Sequence, residues 1–445
     1  MNYKRFFQVA LLVISLIVPS LPISARSADS PEKFVFGKVD LELFEEIKAL
    51  DERFEKEGVV YHHPVMDAYL TRVGMAVAGD KKPENVEWKF RALRDPIPNA
   101  FALPNGSIYI NTGLLALLDD ENQLAAVLAH EVTHVSHRHT YLRNRSMRKK
   151  VLAINIISTI GNWHPVAGTA GLAISLIANI SPFMLVLSIL GYSRDQEKEA
   201  DLEGMKMASA AGFVPDGMPN SFKSMQRDIE GEQLNSFYSD HPKLQERINY
   251  TSSSLPADAR KLTDDEAKTA KDDYLNVMEL VDRHNVELAI NEGRFRSAVF
   301  VSNKLVNLRP ESSDNVFYLA ESYRTLGPRN AELTDKQLTS GAKKKAAKNR
   351  SKRTLEELDA ELLKTPDGQE AWKSNSAKAE QLFLRAIELN RFNANARRGL
   401  GMLYEKLNRK EDAANQYAAY LELAPNAIDT ERIRRRLAVL KESMK

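Results

Sequence analysis

His130-Glu131-Val132-Thr133-His134 is the stretch from which the rest of the chain is read. In a helix, residues four apart lie on one face about 6 Å apart along the axis, so His130 and His134 can share one metal ion. Glu131 stands beside them. The pattern is H-E-x-x-H, in which two imidazoles hold zinc and the glutamate serves as general base toward water. Asp120 followed by Gln123 reads as a capping box, and Leu124, Val127, Leu128 and Val135 lay an apolar stripe at helical spacing. The motif is therefore predicted to lie well inside a regular helix. Taken alone, the same five residues also fit two helical histidines beside a surface acid.

A catalytic zinc needs a third protein ligand and an open position, and a carboxylate is the usual completion of such a pair. Glu197 and Asp201 stand four apart in Ser193-Arg194-Asp195-Gln196-Glu197-Lys198-Glu199-Ala200-Asp201. Glu197 is the expected third ligand, and Asp201, one turn on, can fix the tautomer of a ligand imidazole. Glu199 is expected on another, solvated side of that helix. His137 lies on the His130 face but about 10 Å along the axis, too far to share the zinc, and His139 is expected to face the opposite side. Both read as helix-end histidines favourable to the dipole.

These residues, with Asn99-Ala100-Phe101-Ala102-Leu103-Pro104 and then Gly106, Ile108 and Gly113 ahead of the motif, resemble the zinc metallopeptidases that include the CAAX prenyl proteases and HtpX. With a signal sequence in front and helical repeats behind, the chain is similar to the bacterial periplasmic branch of that family, which includes the β-barrel assembly-enhancing proteases. The resemblance implies one zinc per chain and an endopeptidase acting on unfolded or misassembled clients, in partnership with outer-membrane assembly machinery. It also implies that His241, in His241-Pro242-Lys243-Leu244-Gln245-Glu246-Arg247, can take the zinc's fourth position as a regulatory latch, with Arg247 a partner for acidic groups nearby. On the residues alone His241 reads equally as a loop histidine. Asn105 stands where the family more often has glycine, and Asn tolerates the same turn conformations.

The fold class expected is mainly α with some β: a zincin-like helical metallopeptidase domain with a small sheet, followed by an α-solenoid of tetratricopeptide (TPR) repeats. Residues 39–57 and 64–78 read as amphipathic helices, and Val86, Trp88, Phe90 and Ala92 alternate with charged residues as a half-buried strand does. Ser107 to Asn111 reads as another strand. By the family resemblance, Gly106, Ser107, Ile108, Tyr109 and Ile110 are expected to be an edge strand that holds substrate by β-augmentation, with a purely structural strand as the alternative.

Lys4 and Arg5 precede an apolar run from Phe6 to Val18, with small residues ending at Ala25, the pattern of a cleaved secretory signal over 1–25. An uncleaved anchor is the alternative. The 445 residues contain no cysteine, so the chain has neither disulfides nor an acylated cysteine, and the periplasm is the expected compartment. A net charge of +2 argues against nucleic acid as a partner. The metallopeptidase domain is expected over 30–255. Within it, 151–191 carries no ionisable side chain except His164 and reads as a hydrophobic helical hairpin that covers the site, dips into a membrane surface, or is buried in the domain core.

A linker helix is expected over 256–278 and a TPR-like domain over 279–445. Leu400, Gly401, Tyr404, Ala413, Tyr417 and Pro425 make its clearest unit, and Ala379, Phe383 and Ala386 match a second helix. A charged insertion over about 328–376 includes Lys343, Lys344, Lys345, Lys348, Arg350, Lys352 and Arg353, read as a solvated helix or a contact for anionic lipid. Such a domain suits client recruitment. The same repeats support a second reading, a chaperone or scaffold in which proteolysis is latent.

Overall fold

The structure is a computed structural model, and it describes residues 38–79, 82–83, 85–139, 192–226, 244–330 and 354–444. The signal sequence, the 151–191 stretch, His241 and the lysine-rich run at 343–353 lie outside the described residues. Contacts divide the chain at residue 43: of the first unit, Met1–Leu43, only the start of one helix is described, and everything else belongs to the second, Phe44–Lys445.

Among the described residues the protein is mostly helical with one small four-stranded sheet. Helix α1 is Lys38–Lys56, followed by β1 (Val60–Tyr61) and α2 (Pro64–Ala78). Strands β2 (Lys89–Leu93), β3 (Ala100–Ala102) and β4 (Ser107–Asn111) come next, then α3 (Thr112–Leu117) and α4 (Glu121–Ser136). The sheet order is β1-β2-β4-β3, with β2 and β4 parallel and the outer pairs antiparallel. Phe90 and Ala92 of β2 are buried and their neighbours half-buried, as the alternation requires. Gly74 of α2 lies under the Phe90 ring, where a Cβ would sit 2.4 Å from ring carbons, so a side chain there would push helix and sheet apart.

The substrate-strand expectation for Gly106 to Ile110 is corrected here. β4 is an inner strand: Phe90 pairs with Ile108 on one side and Phe101 with Tyr109 on the other. All five of its residues are buried. With both backbone edges satisfied, it has no free ladder to offer a peptide. Its side chains are tied down too, because buried Asp51 of α1 accepts hydrogen bonds from Ser107 Oγ at 2.6 Å, Tyr109 OH at 2.7 Å and Asn105 Nδ2 at 3.0 Å. Asn105 thus serves through its side chain, whose Oδ1 also accepts from Ser107 N, while Gly106 takes the left-handed turn position at φ 93°. A Cβ at Gly106 would lie 2.6 Å from the Glu87 carbonyl oxygen. The sheet's outer strand on this side is β3.

Beyond the sheet, α5 (Arg194–Ala210), α6 (Gly217–Met225) and α7 (Leu244–Ser253) complete the first core. α8 (Asp264–Asn291) departs from the expected linker. It is one continuous 28-residue helix opened by a Thr263–Glu266 capping box, and its Tyr274, Leu275, Met278 and Val281 belong to the same apolar core as the sheet and α4. Tyr274 OH donates to the Leu115 carbonyl at 2.7 Å. Its apolar stripe is needed to close the first core, so it cannot be a free connector.

Burial pushes Asp282, also on α8, up to about 7, with the Lys304 charge opposing. Its unfolded value is near 4, so below that pH both states are protonated and the residue is neutral in effect. As pH rises through 4 to 7 the carboxyl ionises in the unfolded chain while the buried group stays protonated, and stability falls. Asp282→Asn is expected to stabilise the fold at pH 8, by up to about 4 kcal/mol, with the gain vanishing near pH 4. Urea unfolding at the two pH values checks this; equal shifts at both would contradict it.

The C-terminal helices are α9 (Phe295–Leu308), α10 (Ser313–Leu326), α11 (Leu355–Leu362), α12 (Pro366–Leu389), α13 (Ala394–Lys406), α14 (Lys410–Leu423) and α15 (Thr430–Ser443). From α12 on, each is joined to the next by a short turn, and small residues set the spacing. A Cβ on Gly399 would meet the Phe383 ring at 2.4 Å and one on Gly401 the Tyr417 ring at 2.7 Å. α12 starts at Pro366, inside the range read as insertion, because Thr365 caps it by accepting from Gly368 N. No helix among the described residues is long and apolar enough to cross a membrane.

Candidate metal centre

Helix α4 brings the motif to the centre of the first core. Its N-cap is Asp120, whose Oδ1 accepts from Gln123 N at 2.9 Å; the Gln123 side chain reaches back to Asp119 N, so the expected box closes one residue early. Leu124, Val127, Leu128 and Val135 are buried as the stripe predicts. On the facing helix α5, Ser193 and Gln196 form a full capping box, and Glu197, Asp201 and Gly204 fall on the side that meets α4. Gly204 permits that approach: a Cβ would lie 2.9 Å from His130 N and 3.0 Å from the Ala129 carbonyl carbon. Gly204→Ala is expected to part the helices, costing about 1–3 kcal/mol and weakening metal binding. Denaturant unfolding with and without zinc checks it; an unchanged midpoint and affinity would contradict it. Nothing in the motif pointed to this glycine, although a glycine amid a helical pattern is itself a signal of close packing.

The two helices put three donors at one point. His130 Nε2 and His134 Nε2 are 3.0 Å apart, and the Glu197 oxygens lie 3.7 and 3.6 Å from them respectively. His134 and Glu197 are fully buried, and His130 and Glu131 are 5% exposed. Two imidazoles and a carboxylate, all within 4.8 Å of one another, make a donor set that suits zinc. Burial resists charging of either ring. At His130 the Asp201 carboxylate overrides burial and raises the pKa, whereas at His134 burial prevails and holds the imidazole well below its usual value, in the neutral form that binds metal.

Both rings are oriented from behind. Asp201 Oδ1 lies 2.8 Å from His130 Nδ1, which leaves Nε2 for the metal. Arg247 of α7, only 2% exposed, grips Asp201 in two places, Nε to Oδ2 at 2.9 Å and a terminal nitrogen to Oδ1 at 2.6 Å, and reaches within 3.5 Å of Glu197. Tyr250 OH also donates to Asp201, and the guanidinium stacks over Phe222 at 4.1 Å. Burial alone would raise the Asp201 carboxyl; Arg247 and His130 hold it at about 2. Sequence reasoning missed Tyr250, which lies one turn after Arg247.

His139 differs from its expectation. α4 ends at Ser136, His137 is its C-cap, and Arg138 turns the chain with φ 56°, so His139 comes back against the helix it has left. Its Nδ1 is 3.0 Å from His134 Nδ1, and its Nε2 is 3.3 Å from Glu199. His137 Nδ1 is 2.8 Å from the same carboxylate, so Glu199 is a half-exposed partner of two histidines and not a purely solvated acid. Tyr192 stacks on the His134 ring at 3.6 Å.

A small cavity beside the donors is lined by Ala100 of β3, Leu114, Val127, His130, Glu131, Phe222 and Arg247. The outer strand and the acid of the motif therefore face the same space. Chemically this is a site where a water could be deprotonated next to a bound metal.

Residues 64–254 match peptidase family M48. The mitochondrial metalloendopeptidase OMA1 of Schizosaccharomyces pombe is 31% identical over 208 residues, 46% of this chain and 57% of its own length. The β-barrel assembly-enhancing protease of Escherichia coli K12 is 24% identical over 227 residues, 49% of this chain and 45% of its own length. Metalloprotease LoiP of the same organism is 28% identical over 193 residues, 43% of this chain and 71% of its own. This chain thus spans about half the length of the first two.

Proposed function

We propose, from the match of residues 64–254 to peptidase family M48, that the chain is a zinc-dependent endopeptidase of extended or unfolded polypeptide. The observation that carries the reading is the buried convergence of His130, His134 and Glu197 with Glu131 on the adjoining cavity. Zinc bound there would acidify water and polarise the scissile carbonyl. Glu131 takes the proton of the attacking water and returns it to the leaving amine. Asp201 holds His130 in the tautomer that exposes Nε2, and Arg247 keeps Asp201 ionised. The β3 edge, in place of β4, receives the substrate by β-augmentation.

The finer reading is a periplasmic role in quality control of stalled outer-membrane proteins, with α8–α15 as a TPR-like platform for clients and assembly machinery and His241 as a latch on the zinc. It rests on the likeness to β-barrel assembly-enhancing proteases and, for the platform, on the close helix pairing around Gly399 and Gly401. Contact of 151–191 with a membrane surface belongs to the same reading.

A second reading, a repeat scaffold with latent proteolysis, draws support from the enclosure of the site, where none of the four motif and ligand residues is more than 5% exposed. The test is casein cleavage by the purified full chain before and after removal of metal with a chelator. Restoration by one equivalent of zinc supports the peptidase. Cleavage indifferent to chelation would overturn it, and absence of cleavage even after His241→Ala would favour the scaffold.

A further inference from the structure

A second group of metal donors stands one shell out from the first. His137 Nδ1, His139 Nε2 and the Glu199 carboxylate lie within 4.8 Å of one another, with contacts of 2.8 and 3.3 Å to the two Glu199 oxygens. The chemistry is again two imidazoles and a carboxylate. Unlike the first group it is open to solvent: the His137 and Glu199 side chains are 36% and 48% exposed, and His139 is 6% exposed. An ion can therefore reach it without passing the catalytic cavity, and water can complete its coordination. Donors around a tetrahedral zinc at 2.0–2.1 Å stand roughly 3.3 Å apart, and the two exposed side chains have room to open by that small amount.

What makes this group more than a surface cluster is His139. If His134 gives Nε2 to the first zinc, its proton is on Nδ1, and that N–H points at His139 Nδ1 3.0 Å away. His139 Nδ1 must then be the acceptor, and its own proton sits on Nε2, facing Glu199. The chain His134, His139, Glu199 so orients a ligand of the first zinc much as Asp201 orients the other. A metal at the second group needs the lone pair of His139 Nε2. The proton displaced from Nε2 must go to Nδ1, where it meets the His134 N–H head-on. Both arrangements cannot hold at once.

We propose that His137, His139 and Glu199 form a second, weaker zinc site whose occupation inhibits the enzyme by withdrawing the hydrogen-bond acceptor that positions His134. The inhibition rests on the reading of His130, His134 and Glu197 as the catalytic site; the binding itself does not. By linkage the two zinc ions disfavour one another, so the second binds after the first and at higher concentration. His139 and Glu199 are positioning residues for the first zinc, and His137 is a ligand of the second alone.

The experiment is calorimetric titration of the metal-free full chain with zinc, alongside casein cleavage across the same zinc concentrations, for wild type, His137→Ala and Glu199→Gln. Wild type is expected to take up two zinc ions in resolved tight and weak phases, with cleavage rising over the first and falling at least tenfold over the second. His137→Ala should keep the first phase and basal cleavage, lose the second phase, and need at least tenfold more zinc for inhibition. Glu199→Gln still offers His139 an oxygen acceptor and should also lose the second phase. A single phase in wild type, or inhibition of His137→Ala at unchanged zinc, would overturn the inference while leaving the catalytic reading intact. Loss of the tight phase from His137→Ala would place His137 in the first site, overturning the inference together with the assignment of His130, His134 and Glu197.

Discussion

Glu131→Gln is expected to leave zinc bound and lower the rate of casein cleavage by about 10²–10⁴-fold, the range contributed by a positioned general base. Glu131 follows His130 on α4, is nearly buried, and shares with His130 and Ala100 the cavity beside the donors. Glutamine has the same shape and adds no charge, so α4 keeps its packing and the three ligands keep their places. Only the capacity to accept a proton is lost. Initial rates and zinc content measured on the same preparation separate the two effects. Retention of more than a tenth of the rate would remove Glu131 from the chemistry, and parallel loss of zinc would make it a structural residue.

Arg247→Met is expected to destabilise the fold by about 3–5 kcal/mol, because it removes the counter-charge of two buried carboxylates while leaving them in place. Asp201 and Glu197 are both fully buried, and Arg247 is the cation that bridges toward each. Asp201 can then no longer stay ionised near pH 2, and its hold on His130 weakens, so zinc affinity should fall too. Adding Asp201→Asn to Arg247→Met should cost less than the sum of the single changes, since one of the two uncompensated charges goes with it. Zinc stabilises any variant that still binds it, so urea unfolding is to be compared in chelator and in zinc. A change below about 1 kcal/mol in chelator would contradict the account of Arg247 as the counter-ion of the site.

What could be read from the sequence followed from periodicity. The H-E-x-x-H helix, its apolar stripe and the four-residue step from Glu197 to Asp201 are local regularities, and the structure brings those residues to one point. The role of Ser107 to Ile110 was not legible, because a fully buried inner strand and a substrate-holding edge strand have the same local pattern; only the pairing with β2 and β3 decides between them. Helical spacing does not place His139, because the helix ends at Ser136 and one left-handed residue, Arg138, reverses the chain. Asp51 as the anchor of Ser107 and Tyr109, Tyr250 on Asp201 and Gly204 against His130 all depend on contacts between distant segments. The linker reading of 256–278 has a related physical basis, since a polar, well-capped start conceals a helix whose later turns close the first core.

The most direct test of the central claim is the zinc content of the purified full chain after dialysis, measured for wild type, His134→Ala and Glu197→Gln. One tightly held zinc per chain in wild type, lost from both variants while helical content is retained, is the result this site predicts. A folded wild type that holds no zinc, or variants that retain it, would contradict the assignment of His130, His134 and Glu197 as a metal centre and with it the peptidase.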